Sequence, residues 1–199
     1  MADAVSSTRN RLLAAARELF TTTGYRATIT PMLAARAGVA EGTIYRHFPS
    51  KAALLNAVYQ GAQRDGLAAV QAAAEGPGKS LGERLGMLGR RWVVLAETDP
   101  AQLRLLLVWR DQADLDDLSR QTAAEWHEAL ARLVALGKQA GSVRPGAAEL
   151  WVSVWLALVS FAAEKVASGE WAPGHAHVQA TLDAAWEAIA SRPVRPAGP

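Results

Sequence analysis

From Leu12 to Ile189 the apolar residues of this chain recur three and four positions apart, the spacing that lines one face of an α-helix, and no convincing strand alternation interrupts them. An all-α fold follows. Leu12, Leu13, Ala16, Leu19 and Phe20 make the first stripe, and Gly24 ends it. Thr30-Pro31 is a helix start, with Thr30 as N-cap and Pro31 at the first helical position. Pro49-Ser50-Lys51 closes a short helix and opens a long one that faces Leu54, Leu55 and Val58 inward. Gly76-Pro77-Gly78 is the clearest break. Beyond it come stripes on Leu81, Leu85, Leu88, Trp92 and Leu95, then on Leu103, Leu106 and Leu107 behind an Asp99-Pro100 cap. Leu115, Leu118, Thr122, Trp126, Leu130 and Leu133 mark a long helix ending near Gly141. Trp151, Val154, Trp155, Leu158 and Phe161 follow, then Val178, Leu182, Trp186 and Ile189. The pattern predicts about nine helices. Three form a small head over 1–48 and the rest a larger helical bundle over 49–191, while the proline-rich tail 192–199 should be disordered.

Within the head, Thr28 to Lys51 is the most specific stretch. Leu33, Ala37, Val39 and Ile44 supply the buried side of two short helices, Ala34 is small where they cross, and Gly38 permits a left-handed turn between them. The second helix, about Glu41 to His47, then turns Thr43, Tyr45, Arg46 and His47 outward. A helix presented in this way enters the major groove of DNA with its N-terminal residues nearest the base edges. The Arg46 fork matches guanine O6 and N7, and the Thr43 methyl suits the thymine methyl. Tyr45, His47 and Lys51 suit phosphates, which set register without reading sequence. Charge agrees: residues 1–60 hold seven Lys/Arg against three acids, whereas the remainder holds fourteen against sixteen. Phe48 and Tyr25 read as core of the head.

These residues resemble a known family. Tyr25, Ala34-x-x-Ala37-Gly38-Val39, Gly42-Thr43-Ile44-Tyr45 and His47-Phe48-Pro49-Ser50-Lys51-x-x-Leu54 are similar to the signature of the tetracycline-repressor (TetR) family, over roughly Arg9 to Val58. The resemblance implies a homodimeric bacterial transcriptional regulator, usually a repressor released from its double-stranded DNA operator by a small ligand. It also implies that the body binds that ligand and that the last two long helices form a four-helix dimer interface. Carried over by position, the DNA-contacting residues are Thr30, Ala40, Glu41, Gly42, Thr43, Tyr45, Arg46, His47 and Lys51. Three positions depart from the pattern. Ala40 stands where Ser or Thr often caps the reading helix, a loss of roughly 0.5–2 kcal/mol. Glu41 stands where Lys is common; it suits a helix N-terminus and can accept from cytosine N4, but phosphate repels it. Pro31 occupies a place where some relatives carry a base-reading polar residue.

The body is less specific. Trp92, Trp126, Trp151 and Trp186 fall in core stripes, whereas Trp109 and Trp155 are candidates for lining a ligand pocket because their helices' stripes are already filled. Gly82, Gly86 and Gly89 either open room for a ligand beside Met87 or let helices approach closely. Arg90, Arg91 and Arg104 could meet an anionic ligand, but pairing with Glu97, Asp99 and Asp111 at the surface is the expectation. His175-x-His177 lacks a recognisable second pair of ligands, so neither a metal nor a cofactor is expected. The chain has no cysteine, which excludes disulfides and Cys-type zinc or iron–sulfur sites. No uncharged apolar run reaches the roughly 18 residues of a membrane span, and no export signal is visible. A cytoplasmic protein with no membrane partner is expected. An enzyme on a helical bundle has no support from a nucleophile elbow, a phosphate loop or a constellation of paired acids. A regulator whose body binds another protein in place of a small molecule stays open.

Overall fold

The computed structural model describes residues 2–76, 78–109, 111 and 113–191, with backbone alone for 2–6; the expected disordered tail lies outside them. Among the described residues there are nine α-helices: α1 (Ala2–Leu19), α2 (Thr30–Ala37), α3 (Glu41–His47), α4 (Lys51–Ala74), α5 (Leu81–Thr98), α6 (Pro100–Leu103), α7 (Asp117–Gln139), α8 (Ala148–Ala167) and α9 (Ala176–Ile189). Two π-helical turns, Phe20–Gly24 and Arg104–Val108, continue α1 and α6. The only β-contact among those residues is one antiparallel bridge between Val143 and Ala190. The chain forms two compact units, 1–66 with 99–124 and 67–98 with 125–199.

Helix ends follow local chemistry. Gly24, at a φ of 92°, closes the first π turn. Ser50 Oγ accepts from Ala53 N at 3.0 Å to start α4, and Asp99 Oδ1 accepts from Gln102 N at 2.9 Å to start α6. Ser80 and Glu83 form a reciprocal capping box on α5: the Ser80 hydroxyl and N–H both donate to Glu83 Oε2, and Glu83 N–H donates back to Ser80 Oγ. One start differs from the expected one. The cap of α2 is Ile29, without a side-chain bond, and Thr30 is already the first helical residue. Its hydroxyl is directed elsewhere.

In the first unit Leu12, Ala16, Phe20, Leu33, Ile44, Phe48, Leu54 and Leu55 form the buried core. Polar groups inside it are satisfied by one another. Asn56 donates to the Asp114 carbonyl and accepts from Asp116 N–H and the Ser119 hydroxyl, which also accepts from Gln60. Arg17 donates to Asp99 at 2.8 Å and to Gln102 at 2.9 Å, and Gln102 donates to Asp65 at 2.7 Å, so one network ties α1, α6 and α4.

The second unit is built on tryptophan. Trp92 packs against Trp126 and Trp155 at centroid distances of 5.9 and 5.5 Å, and all three rings are fully buried. At about 25 cal/mol per Å² and roughly 200 Å² per ring, each contributes about 5 kcal/mol before ordering entropy is subtracted. Helix α5 lies close on α9 because two of its glycines leave no side chain there: a Cβ on Gly82 would stand 2.8 Å from the Trp186 ring, and one on Gly89 2.9 Å from Leu182. Close approach is thus the use of these two glycines. Met87 is exposed, with Sδ 3.0 Å from Lys79 Nζ. The buried stripe of α8 is rotated from the expected one: Val152, Trp155, Val159, Ala162, Ala163 and Val166 face inward, whereas Phe161 is 49% exposed. Uniform apolarity around this helix left the sequence pattern without a phase. Leu118, expected inside, is also exposed, because α7 begins only at Asp117 and in its first turn Ser119 is the residue that faces inward.

Gly82→Ala should lower stability by about 1–3 kcal/mol, since the indole of Trp186 must shift. Gly86→Ala, where a Cβ meets only the flexible end of Arg90 at 3.5 Å, should raise it by about 0.4–1 kcal/mol; paired denaturant titrations check both. The bonds from the Ser80 hydroxyl and then its N–H hold the Glu83 carboxyl below its usual 4.5. A depressed carboxyl adds stability above its ordinary pKa and loses it as pH falls through the folded value. Glu83→Ala should therefore flatten the acid limb of the stability profile below about pH 4.5 and leave its shape above neutral pH unchanged.

Candidate nucleic-acid interface

The turn between α2 and α3 is fixed by two backbone bonds. Gly38 sits at φ 64°, ψ 44°, its N–H donates to Ala35, and Val39 N–H donates to Ala34 at 3.0 Å. This is a Schellman closure, which needs a left-handed residue at that position. Arg11 of α1 donates to the Gly38 carbonyl at 3.3 Å, holding the turn against the first helix. Leu33, Ala34, Ala37 and Ile44 close the apolar side, as their spacing predicts, and Val39 is half-buried beside them.

The opposite side of α3 is open. Arg46 is exposed and has no hydrogen-bond or ion-pair partner among the described residues. Tyr45 is 54% exposed, and its phenol shares a 3.3 Å hydrogen bond with the Thr30 hydroxyl. Thr30, expected as a cap, thus braces the start of α2 against the reading helix. Glu41 and Gly42 are exposed in the first turn, and Thr43 and His47 are half-exposed. Ala40 is the cap residue of α3 and supplies no side-chain bond, as its methyl dictates. Eight of the nine sequence-derived positions therefore fall on one short stretch, Thr30 with 40–47.

Lys51 is the ninth, and it is arranged differently. Its ammonium donates to the carbonyls of Tyr25 and Thr28, both at 2.9 Å, and lies 4.3 Å from the centre of the Tyr25 ring. Two of its three N–H groups are thereby used inside the head. Thr28, fully buried, donates from its own hydroxyl to Gly24 at 2.8 Å. Tyr25 packs edge-on to Phe20 at 5.2 Å. Sequence reasoning missed this role because it depends on a loop carbonyl pair 23 and 26 positions away.

Among the other candidates, Trp155 lies in the tryptophan core and Met87 on the surface of α5. Trp109 lines a cleft of about 480 Å³ with Phe20, Tyr25, Arg26, Arg104 and Asp111. His175 serves as a helix cap, its Nδ1 accepting from His177 N–H at 3.2 Å at the start of α9. Asp99 pairs with Arg17 and Asp111 with Arg26.

Two short helices set by a left-handed glycine, with the second helix exposed and basic at its end, define a helix-turn-helix DNA-binding domain. Residues 12–58 match the family model for bacterial regulatory proteins, tetR family, so the chain carries a DNA-binding domain of that type. The fold agrees over nearly the whole length. A TetR family transcription regulator from Marinobacter aquaeolei VT8 is similar with a TM-score of 0.81 at 21% identity, over 96% of this chain and 100% of that one. A TetR family protein from Vibrio parahaemolyticus gives 0.69 at 27% identity, over 93% and 100%. The MbdR regulator from Azoarcus sp. CIB gives 0.75 at 22%, over 90% and 97%. No curated protein sequence matches.

Lys51→Met should lower the thermal stability of the head, because two partly buried carbonyls lose a charged donor worth about 1.5–3 kcal/mol. A lysine that served only phosphate would leave melting unchanged and reduce the salt slope of DNA binding by about one unit.

Proposed function

We propose that this regulator is a repressor that binds a near-palindromic operator as a homodimer and is released by a small ligand. The observation that carries the reading is the exposed face of α3, whose Arg46 guanidinium has no partner among the described residues. In this reading Arg46 and Thr43 read base edges, Glu41 and Gly42 approach the groove floor, and Thr30, Ala40, Tyr45 and His47 meet the sugar–phosphate backbone. Lys51 contributes through the loop it holds and through its remaining N–H. Residues 1–48 are the DNA-binding part, and 49–191 carry ligand binding and dimerisation.

Support for the dimer comes from α8. Its 20 residues have a mean hydropathy of 1.5 in a window that is only 33% buried, long and apolar enough by composition to cross a membrane. Leu150 and Phe161 are about half exposed, beside half-buried Val154 and Leu158. Its other face packs on α5 and α9, and Glu149, Glu164 and Lys165 flank it. That combination favours burial against α8 and α9 of a second copy. Two-fold symmetry then sets the reading helices about 34–36 Å apart, one helical turn of DNA, in the simplest case. Release requires a ligand that binds more tightly to a head spacing unsuited to the operator.

Selection from random duplexes by the purified protein should return a near-palindrome; no enrichment at low salt would overturn the reading. On the selected site Arg46→Ala should cost about 1–3 kcal/mol and relax the preference at one base pair per half-site.

A further inference from the structure

Two helical glycines stand four residues before an arginine: Gly86 before Arg90 in α5, and Gly42 before Arg46 in α3. In α5 the guanidinium folds back over its glycine, since a Cβ at Gly86 would stand 3.5 Å from Arg90 Nη1 and 3.6 Å from Nη2. That is the usual course of a helical side chain, which leans toward the N-terminus over the preceding turn. In α3 the same space is empty. Apart from its two chain neighbours, no side chain comes within 4 Å of where a Gly42 Cβ would be, so the Arg46 guanidinium does not lie there.

Gly42 therefore has no use inside the head. Its backbone is ordinary helix without a positive φ, and no packed neighbour needs the room, unlike Trp186 at Gly82 or Leu182 at Gly89. Inside a helix a glycine is less stable than an alanine, so its benefit lies with something outside the chain. Its position says what that is. Ile44 is the buried residue of α3. Gly42 and Arg46 lie two residues to either side, each roughly 200° round the helix from it. They form the outermost ridge of the reading helix, one turn apart, and both are exposed.

We infer that the opening over Gly42 receives the 5-methyl group of a thymine, next to a guanine read by Arg46. The thymine methyl is the apolar group that base edges present in the major groove. The opening is one methyl deep and offers no side-chain donor or acceptor, which suits a methyl and leaves an amino or carbonyl edge without a side-chain partner. One helical turn is about 5.4 Å and one base-pair step roughly 3.4 Å, so the thymine lies within about two base pairs of the guanine. The half-site thus joins a thymine and a guanine at close spacing. This assignment rests on the operator reading given above.

The test uses the full chain and the operator selected from random duplexes, with each thymine replaced in turn by uracil, which lacks only the methyl. At one thymine per half-site the native protein should lose about threefold to fivefold, the worth of one buried methyl. That thymine should lie within about two base pairs of the guanine that Arg46→Ala no longer prefers. Gly42→Ala fills the opening and should bind the thymine operator at least about tenfold more weakly than the native protein. On the uracil operator it should return to within about threefold of the native protein, and its melting temperature should not fall. Gly61→Ala is the control: this glycine of α4 also has nothing within 4 Å of an added Cβ, and its replacement should leave operator affinity unchanged. Native affinity in Gly42→Ala, an equal loss on thymine and uracil, or a lowered melting temperature would overturn the assignment. If the native protein enriches no operator, the operator reading fails and this one with it. An enriched operator bound alike by the native protein and Gly42→Ala overturns the thymine opening alone.

Discussion

Two backbone carbonyls converge on the Lys51 ammonium, and the shape of the DNA-binding head depends on that junction. The carbonyls belong to Tyr25 and Thr28, in the loop that leads from α1 into α2, while the lysine opens α4. The loop is also tied by Thr28, whose hydroxyl donates to the Leu19 and Gly24 carbonyls, and the junction works with these bonds and with the apolar faces of Leu33 and Ile44 to set the start of α2. With it, Thr30 is held where its hydroxyl meets Tyr45. The left-handed turn at Gly38 then determines the angle at which α3 leaves α2. Reading DNA requires side chains held to within a fraction of an ångström, and rigid support from a neighbouring shell achieves this better than the helix alone.

The same unit carries its polar groups in closed sets. Arg17 with Asp99, Gln102 and Asp65 joins three helices, and Asn56 with Asp116 and Ser119 joins α4 to the start of α7. Buried donors without acceptors cost about 1–3 kcal/mol each, so these sets act less by adding stability than by rejecting other registers of the helices. They also mean that a displacement of α6 is felt by α1 directly, through a charged hydrogen bond. The second unit works by another principle. Its specificity comes from shape: three tryptophans packed edge-on and tilted, which fit in few ways, and glycines that admit Trp186 and Leu182 at close range. There Trp92 Nε1 is buried without a partner among the described residues, a local cost accepted within a large apolar core.

Much of this architecture was legible along the chain. Periodicity located the helices, because the 3.6-residue repeat is imposed by backbone geometry and needs no knowledge of neighbours. Gly38 marked the left-handed turn, Pro49-Ser50-Lys51 the start of α4, and Asp99-Pro100 the start of α6, since each acts within one turn of itself. Ser80-x-x-Glu83 was equally readable and marks the start of α5 by the same logic. The outward set on α3 followed from the inward set, because on a helix that short the two faces exclude each other.

What the chain alone could not decide was the partner of any side chain distant in sequence. Lys51 and Arg46 are both cations of the head, yet one is drawn inward by carbonyls more than twenty residues earlier and the other is left to solvent. Trp109 and Trp155 look alike as tryptophans outside the obvious stripes, but packing puts one in a cleft and the other against Trp92. Helix α8, apolar on nearly every side, has no intrinsic phase, and only α5 and α9 select its buried face. The sequence by itself determined the helices, most of their starts and the DNA-reading class, because those rest on short-range backbone chemistry. The tertiary structure alone decided which charges are neutralised, which aromatic rings are buried and where a cleft opens, because those depend on long-range packing that no local pattern encodes.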